Sequence, residues 1–233
     1  MEGSMRVCIV GVNQGLGLVL SRLMAEKGHI VYACFRNQPS RGVREAAREF
    51  AGFKMVELDV TREAMAEGAA KKILEDGGKL DAVVVTAGIL TDSDRERLIT
   101  DVRIEDLRAA LEVNVVGSAI MIKHFGPLVN DGGMFITITS EAGSMTNIGL
   151  KYPGYSVSKA AQNKLVAIFA KTLVRYKIYA LHPGRMNTVM GRKDAQIEPE
   201  ESARGIIKII TGEQRVPPER GWFIDYHGEA MEI

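Results

Sequence analysis

Two cysteines, seven prolines and one tryptophan in 233 residues leave the chain short of everything that staples or breaks a fold. Two cysteines cannot form the disulfide framework of a small secreted domain. Cys8 and Cys34 each lie inside an apolar run, the setting of buried free thiols in a reducing compartment. Thirty Lys and Arg against 29 Asp and Glu leave a net charge of +1, and no basic stretch is interleaved with aromatics. Nucleic acid therefore meets no electrostatic footprint. No apolar run approaches the roughly 20 residues of a membrane span. The start, Met1 to Arg6, lacks the charged, apolar and cleavage regions of a secretory signal. A soluble cytoplasmic protein is expected, with residues 1–4 read as a cloning remnant ahead of a start at Met5. His29, His124, His182 and His227 are scattered without ligand spacing, so no metal site is expected. No GxSxG nucleophile elbow is present either.

What the chain does have is ordinary globular composition, 46% hydrophobic and 25% charged, with one excess, its 24 glycines. At about 150 residues per domain the length favours one domain over 1–233, large enough to need no staple. Short β-branched apolar runs alternate with segments of helical spacing. Strands are predicted at Met5 to Val10, His29 to Phe35, Lys54 to Leu58, Leu80 to Val85, Gly133 to Ile138, Ile178 to Leu181 and Gly221 to Asp225. Helices are predicted at Leu16 to Lys27, Ser40 to Ala51, from near Thr61, at Val102 to Phe125, Ser156 to Tyr176 and Pro199 to Ile210. Strands apolar on both faces and separated by helices imply a parallel, doubly wound α/β sheet of about seven strands, in the order 3-2-1-4-5-6-7. Ligands bind beyond the carboxyl ends of such strands, so chemistry is sought just after each one. The polar stretch 185–199 reads as a lid over that end.

After strand 1 comes Gly11-Val12-Asn13-Gln14-Gly15-Leu16-Gly17, a GxxxGxG spacing between strand and helix. Glycines there let the backbone approach a pyrophosphate and turn a helix N-terminus toward it, although a plain turn has the same spelling. The end of strand 2 carries Arg36 and Asn37 where an acid would take the ribose hydroxyls of NAD. An arginine there pairs with a 2′-phosphate, so NADP(H) is favoured over NAD(H); the alternative is a solvated surface arginine. Asp59 and Val60 end strand 3 within reach of an adenine, and Thr86, Ala87 and Gly88 offer a close-approach turn. Both also have bland readings as helix-start and turn residues.

Tyr155 and Lys159, four apart, share one helix face, and a cation near a phenol favours the phenolate. Lys159 is thus expected to lower the tyrosine pKa. On their own, Tyr and Lys at this spacing are usually a surface pair. Ser140 ends strand 5, where its hydroxyl can meet a carbonyl oxygen, and Asn114 sits uncomfortably inside a long helix unless its amide is used.

Taken in order, GVNQGLG at 11–17, Asp59-Val60, TAG at 86–88, NVVG at 114–117, Ser140, YSVSK at 155–159 and Pro183-Gly184 resemble the short-chain dehydrogenase/reductase family, in its compact single-domain branch. SEAGS at 140–144, HPGRMNT at 182–188 and GWFIDYHGE at 221–229 are closest to its C-factor-like and sniffer-like carbonyl reductases. The resemblance implies catalysis by Asn114, Ser140, Tyr155 and Lys159. Tyr155 would protonate the carbonyl, Ser140 would hold its oxygen, and Lys159 would bind the nicotinamide ribose. Asn114 would anchor a water relaying protons to Lys159. Pro183, Gly184, Met186 and Thr188 would line the nicotinamide, and Gly11, Asn13, Gln14, Gly15, Leu16 and Gly17 would cradle the pyrophosphate. The implied partner is a small carbonyl or alcohol substrate, apolar if Met145, Ile148, Leu150 and Tyr152 shape the pocket. A homo-oligomer is compatible with the family, and so is a monomer. Val10 and Thr86 depart from the family's usual Thr and Asn, which puts packing around the central strands or cofactor affinity in doubt. The competing reading is an NAD(P)-binding regulator with little or no turnover.

Overall fold

A computed structural model describes residues 3–191 and 195–233. Seven strands form one parallel sheet: β1 (Arg6–Val10), β2 (Ile30–Phe35), β3 (Phe53–Glu57), β4 (Leu80–Val85), β5 (Val129–Ile138), β6 (Lys177–His182) and β7 (Phe223–Asp225). Their spatial order is β3-β2-β1-β4-β5-β6-β7, as expected. The helices are α1 (Gly15–Glu26), α2 (Arg41–Glu49), α3 (Glu63–Gly77), α4 (Ile104–Ala110), α5 (Gly117–Phe125), α6 (Pro153–Thr172) and α7 (Pro199–Thr211).

The strands are apolar on both faces because both faces are covered. Val7 and Ile9 of β1 join Ala82 and Val84 of β4 in a core closed by α1 and α7 through Leu20, Met24, Ile206 and Ile210. Cys8 and Val10 point the other way with Val83 and Val85, into a core closed by α3, α5 and α6 through Ile73, Met121, Phe125 and Phe169. Period-two alternation along each strand thus feeds two separate cores. Cys8 and Cys34 are free buried thiols, 3.6 Å apart across β1 and β2.

Strand order reverses between β1 and β4, where successive crossovers leave on opposite sides and open a crevice at the carboxyl ends. Two expected elements come out differently. The helix expected at Val102 to Phe125 is α4 running into α5 through a π-helical turn, Leu111–Val116, with Asn114 inside it. The helix expected from Ser156 begins at Pro153, whose fixed φ and missing N–H suit a first helical position. It stops at Thr172, and Tyr176 instead packs edge-on to Phe169, with centroids 6.0 Å apart. Among the described residues no helix is long and apolar enough to cross a membrane, and no cluster could hold a metal ion.

Candidate active site

The carboxyl ends of the strands open into one cleft of about 1710 Å³. That exceeds the roughly 300–1,000 Å³ of a single small-ligand site, leaving room for two ligands end to end. Its floor at one end is bare backbone. A Cβ on Gly11 would lie 2.7 Å from the Ala87 nitrogen, and one on Gly17 would lie 2.3 Å from the Gly11 oxygen. No side chain fits at either place, so the turn packs tightly against the end of β4 and the first turn of α1, and Gly11, Gly15 and Gly17 line the cleft there. The Thr86 hydroxyl donates to the Val10 carbonyl at 2.8 Å, which ties the end of β4 to the glycine turn. The same hydroxyl lies 3.1 Å from the Gly11 carbonyl, so Thr86 bonds to the backbone on both sides of the strand–turn junction.

Asn13 shapes the far lip. Its amide donates to the carbonyls of Arg36 and Gln38, each at 3.1 Å, and its oxygen accepts from Ser40 N–H at 2.9 Å. The turn after β2 is therefore fixed, with Arg36 exposed at the edge of the cleft. Asn37 does not line the cleft: it is an exposed turn corner at φ 60°, a left-handed conformation that Asn tolerates. Asp59 does line it, but its carboxylate accepts from Thr61 N–H and hydroxyl at 3.0 and 2.8 Å. Burial pushes that carboxyl up, and the Thr61 bonds, aided by Arg36, outweigh it and hold the carboxyl below its usual range.

At the other end, Ser140, Tyr155 and Lys159 meet on one wall. Ser140, whose hydroxyl accepts from Ala142 N–H at 3.1 Å, acts on the Tyr155 phenol, and the Lys159 Nζ lies 5.5 Å from the Tyr155 ring centroid. Burial drives Tyr155 up to about 12, against the pull of Ser140 and Arg95, while Glu141 and Tyr152 push the same way as burial. Burial also drives Lys159 down to about 7. The expected lowering of the tyrosine pKa by its lysine is thus reversed in the cofactor-free protein. Lys159 is shut away from water and Tyr155 is half-buried in the cleft wall, and desolvation disfavours the charged form of each. A lysine that is half discharged at neutral pH exerts little pull on a phenol.

Asn114 does not line the cleft. It is fully buried, and its amide pairs with the Ile89 backbone in both directions, accepting at 2.8 Å and donating at 3.0 Å. A second donation, 2.9 Å to Ser158 Oγ, passes on at 2.7 Å to the Tyr155 carbonyl. Asn114 therefore splices the segment after β4 onto the helix bearing Tyr155, which is why the α4–α5 helix tolerates it. A π turn at such a position is a common mark of a functional site.

Asp94 was not foreseen. It is buried, and its two carboxylate oxygens accept from the N–H groups of Gly154 and Tyr155 at 3.0 and 2.8 Å. The residue at the cap position, Tyr152, is left-handed at φ 50° and offers no capping side chain, so a carboxylate from a distant loop caps α6 and favours its N-terminus. Arg95, its neighbour, faces the cleft and donates to the Met190 carbonyl at 2.8 Å. Local spelling carries no signal for either contact, because both partners are remote in sequence.

Pro183, Gly184, Met186 and Thr188 line the cleft after β6. The base of the stretch read as a lid is pinned by Asn187 N–H to the Ile197 carbonyl at 2.8 Å; residues 192–194 of that stretch lie outside the described residues. Leu150 and Tyr152 line the cleft, but Met145 and Ile148 are exposed away from it, because the loop turns them outward. The wall is mixed, with Arg95 and the Glu141–Arg185 ion pair (2.6 Å) beside the apolar groups, so the apolar pocket expected from sequence is only partly found.

Residues 11–211 match a family model described as enoyl-(acyl carrier protein) reductase. The chain is 30% identical over 235 residues to 1-hydroxy-2-glutathionyl-2-methyl-3-butene dehydrogenase of Rhodococcus sp. strain AD45, covering 97% of this chain and 98% of that protein. It is 29% identical to an NADPH-dependent pterin aldehyde reductase of Arabidopsis thaliana, covering 78% of this chain and 75% of that protein. In structure it resembles the carbonyl reductase Sniffer of D. melanogaster, with a TM-score of 0.88 at 23% identity over 99% of this chain and all of the other. An NADPH-bound carbonyl reductase from chicken fatty liver superposes with a TM-score of 0.84 at 23% identity, over 100% of this chain and 96% of that one.

Proposed function

The chain belongs to the short-chain dehydrogenase/reductase family, and we propose that it is an NADP(H)-dependent oxidoreductase acting on a ketone or aldehyde, or the matching secondary alcohol, with Tyr155 as general acid and base. The observation that carries this reading is the joining, in one cleft, of the glycine turn after β1 and Arg36 with Ser140, Tyr155 and Lys159.

The residues present fit a dinucleotide. The backbone of Gly11 to Gly17 and the N-terminus of α1 suit a pyrophosphate, in a turn whose close packing on Ala87 and on its own backbone leaves no room for a Cβ at Gly11 or Gly17. Arg36 suits a 2′-phosphate, and Asp59, already engaged by Thr61, does not stand in for the ribose-binding acid. The Arabidopsis relative and the chicken structure, both named for NADPH, support the same choice. Met186 and Thr188 would flank the nicotinamide end, and Lys159 its ribose. When bound, the cofactor supplies or accepts the hydride.

The chain's own part is positioning and proton transfer. Ser140 holds the carbonyl oxygen while Tyr155 gives up its phenolic proton to it, the O–H bond breaking as the new one forms. A phenol held near 12 is protonated at neutral pH, the state that a donor needs. Tyr155→Phe tests the reading: NADPH consumption across a panel of aliphatic and aromatic aldehydes and ketones should fall by about 10²-fold or more, while NADPH binding followed by fluorescence persists. Undiminished turnover in that variant would remove Tyr155 from the chemistry.

A further inference from the structure

Gln162 lies one turn beyond Lys159 on α6 and is fully buried. Its Oε1 accepts from the Lys159 Nζ at 2.8 Å, and its Nε2 donates to the Ser118 Oγ at 2.7 Å. Ser118, also buried, donates in turn to the Asn114 carbonyl at 2.7 Å. With Lys159 protonated, the direction of every bond is forced. An ammonium has only donors, so the amide must turn its oxygen to Lys159 and its NH₂ to Ser118, which leaves the serine proton for the carbonyl. The chain ends on a backbone oxygen and anchors the lysine.

Resting on the proposed function of the site, we infer that Gln162, seated on Ser118, is a positioning residue that fixes the Lys159 ammonium beneath Tyr155. The role the family resemblance gives to a water held by Asn114 is here divided. Asn114 splices Ile89 to α6, while Gln162 and Ser118 occupy the span between Lys159 and the Asn114 carbonyl.

The surroundings of Lys159 make this testable without substrate. From β5 it meets the Ile138 carbonyl at 3.0 Å, and from the segment after β4 it meets Gly88, where a Cβ would lie 3.5 Å from Nζ and 3.2 Å from Asn114 Oδ1. On its own helix it faces Tyr155, the one titratable group in contact with it among the described residues. Glu141 and Arg95 act on Tyr155 from the cleft side. Gln162 is therefore one of two side-chain or main-chain oxygens shown holding the ammonium.

The experiment is a pH titration of the ¹³Cε resonance of Lys159 in the full, cofactor-free chain, assigned by its disappearance in Lys159→Met. Gln162→Met keeps the length and removes the acceptor, so the midpoint should fall by about one pH unit. Gln162→Glu puts a carboxylate in the same place and should raise it by about one unit or more. Ser118→Ala removes the seat and should move the midpoint in the direction of Gln162→Met by a smaller amount, which keeps the test open should Gln162→Met not fold. A midpoint indifferent to both the Met and Glu substitutions overturns the inference. The titration needs neither cofactor nor turnover, so its failure is separable from failure of the Tyr155→Phe test, and the latter leaves this result standing.

Discussion

Replacing Lys159 by Met should stabilise the cofactor-free protein while destroying its function, and the size of the gain should depend on pH in a defined way. Lys159 is 3% exposed, and burial takes its pKa from 10.5 to about 7. That difference corresponds to about 5 kcal/mol of net penalty on the charged form, set against about 1–3 kcal/mol for each of the two acceptors, Ile138 O and Gln162 Oε1, that a substitution leaves unpaired. Methionine fills a similar volume with neither the charge nor the bonds, so at neutral pH the variant should be near-neutral to about 2 kcal/mol more stable. The pH dependence is the sharper quantity. Between about 7 and 10.5 the unfolded chain carries a proton on this lysine that the folded chain does not. Wild-type stability therefore rises with pH by about 1.4 kcal/mol per unit from this group, and is flat in it below 7. The contribution is complete above the unfolded pKa and is lost as pH falls through the folded one. Urea unfolding of both proteins at pH 6 to 9.5 should show the advantage of the variant constant up to about 7 and then shrinking steadily, with the Tyr155 titration common to both largely cancelling. A difference that stays level across that range would mean that water reaches the ammonium and that the site is not dry, and the account of both pKa values would fall with it.

Two further predictions concern the ends of the cleft. Arg36→Ala should weaken NADPH binding by about 1.5–3 kcal/mol, the worth of a charge-assisted contact, and leave NADH unaffected; fluorescence titration with each cofactor checks it, and equal weakening of both would reject the 2′-phosphate role. Asp94→Ala strips two hydrogen bonds from the N-terminus of α6 and should lower unfolding free energy by about 1.5–3 kcal/mol. Because Tyr155 N–H is one of the donors, turnover should fall further than NADPH affinity in that variant; an affinity loss as large as the loss of turnover would show that the cap serves the fold alone.

Local pattern was enough for the architecture. Short runs apolar on both faces, separated by helical spacings, dictate a parallel sheet covered on both faces, and a glycine turn between the first strand and helix marks the crevice where strand order reverses. These signals are short-range, so one sequence displays them. The positions of Gly11, Ser140, Tyr155, Lys159 and Arg36 along the cleft followed from the same reading, since each lies just beyond a strand or on the first turns of a helix that points there. The work of Asn114 did not follow, nor the cap from Asp94, nor the seating of Gln162 on Ser118. Each depends on a partner 25 to 61 residues away that only packing brings within 3 Å. The sign of the Tyr155 shift was hidden for the same reason. A cation four residues along is visible in the sequence, but how completely water is excluded from both groups is a property of the folded cleft, and desolvation outweighs the neighbouring charge there.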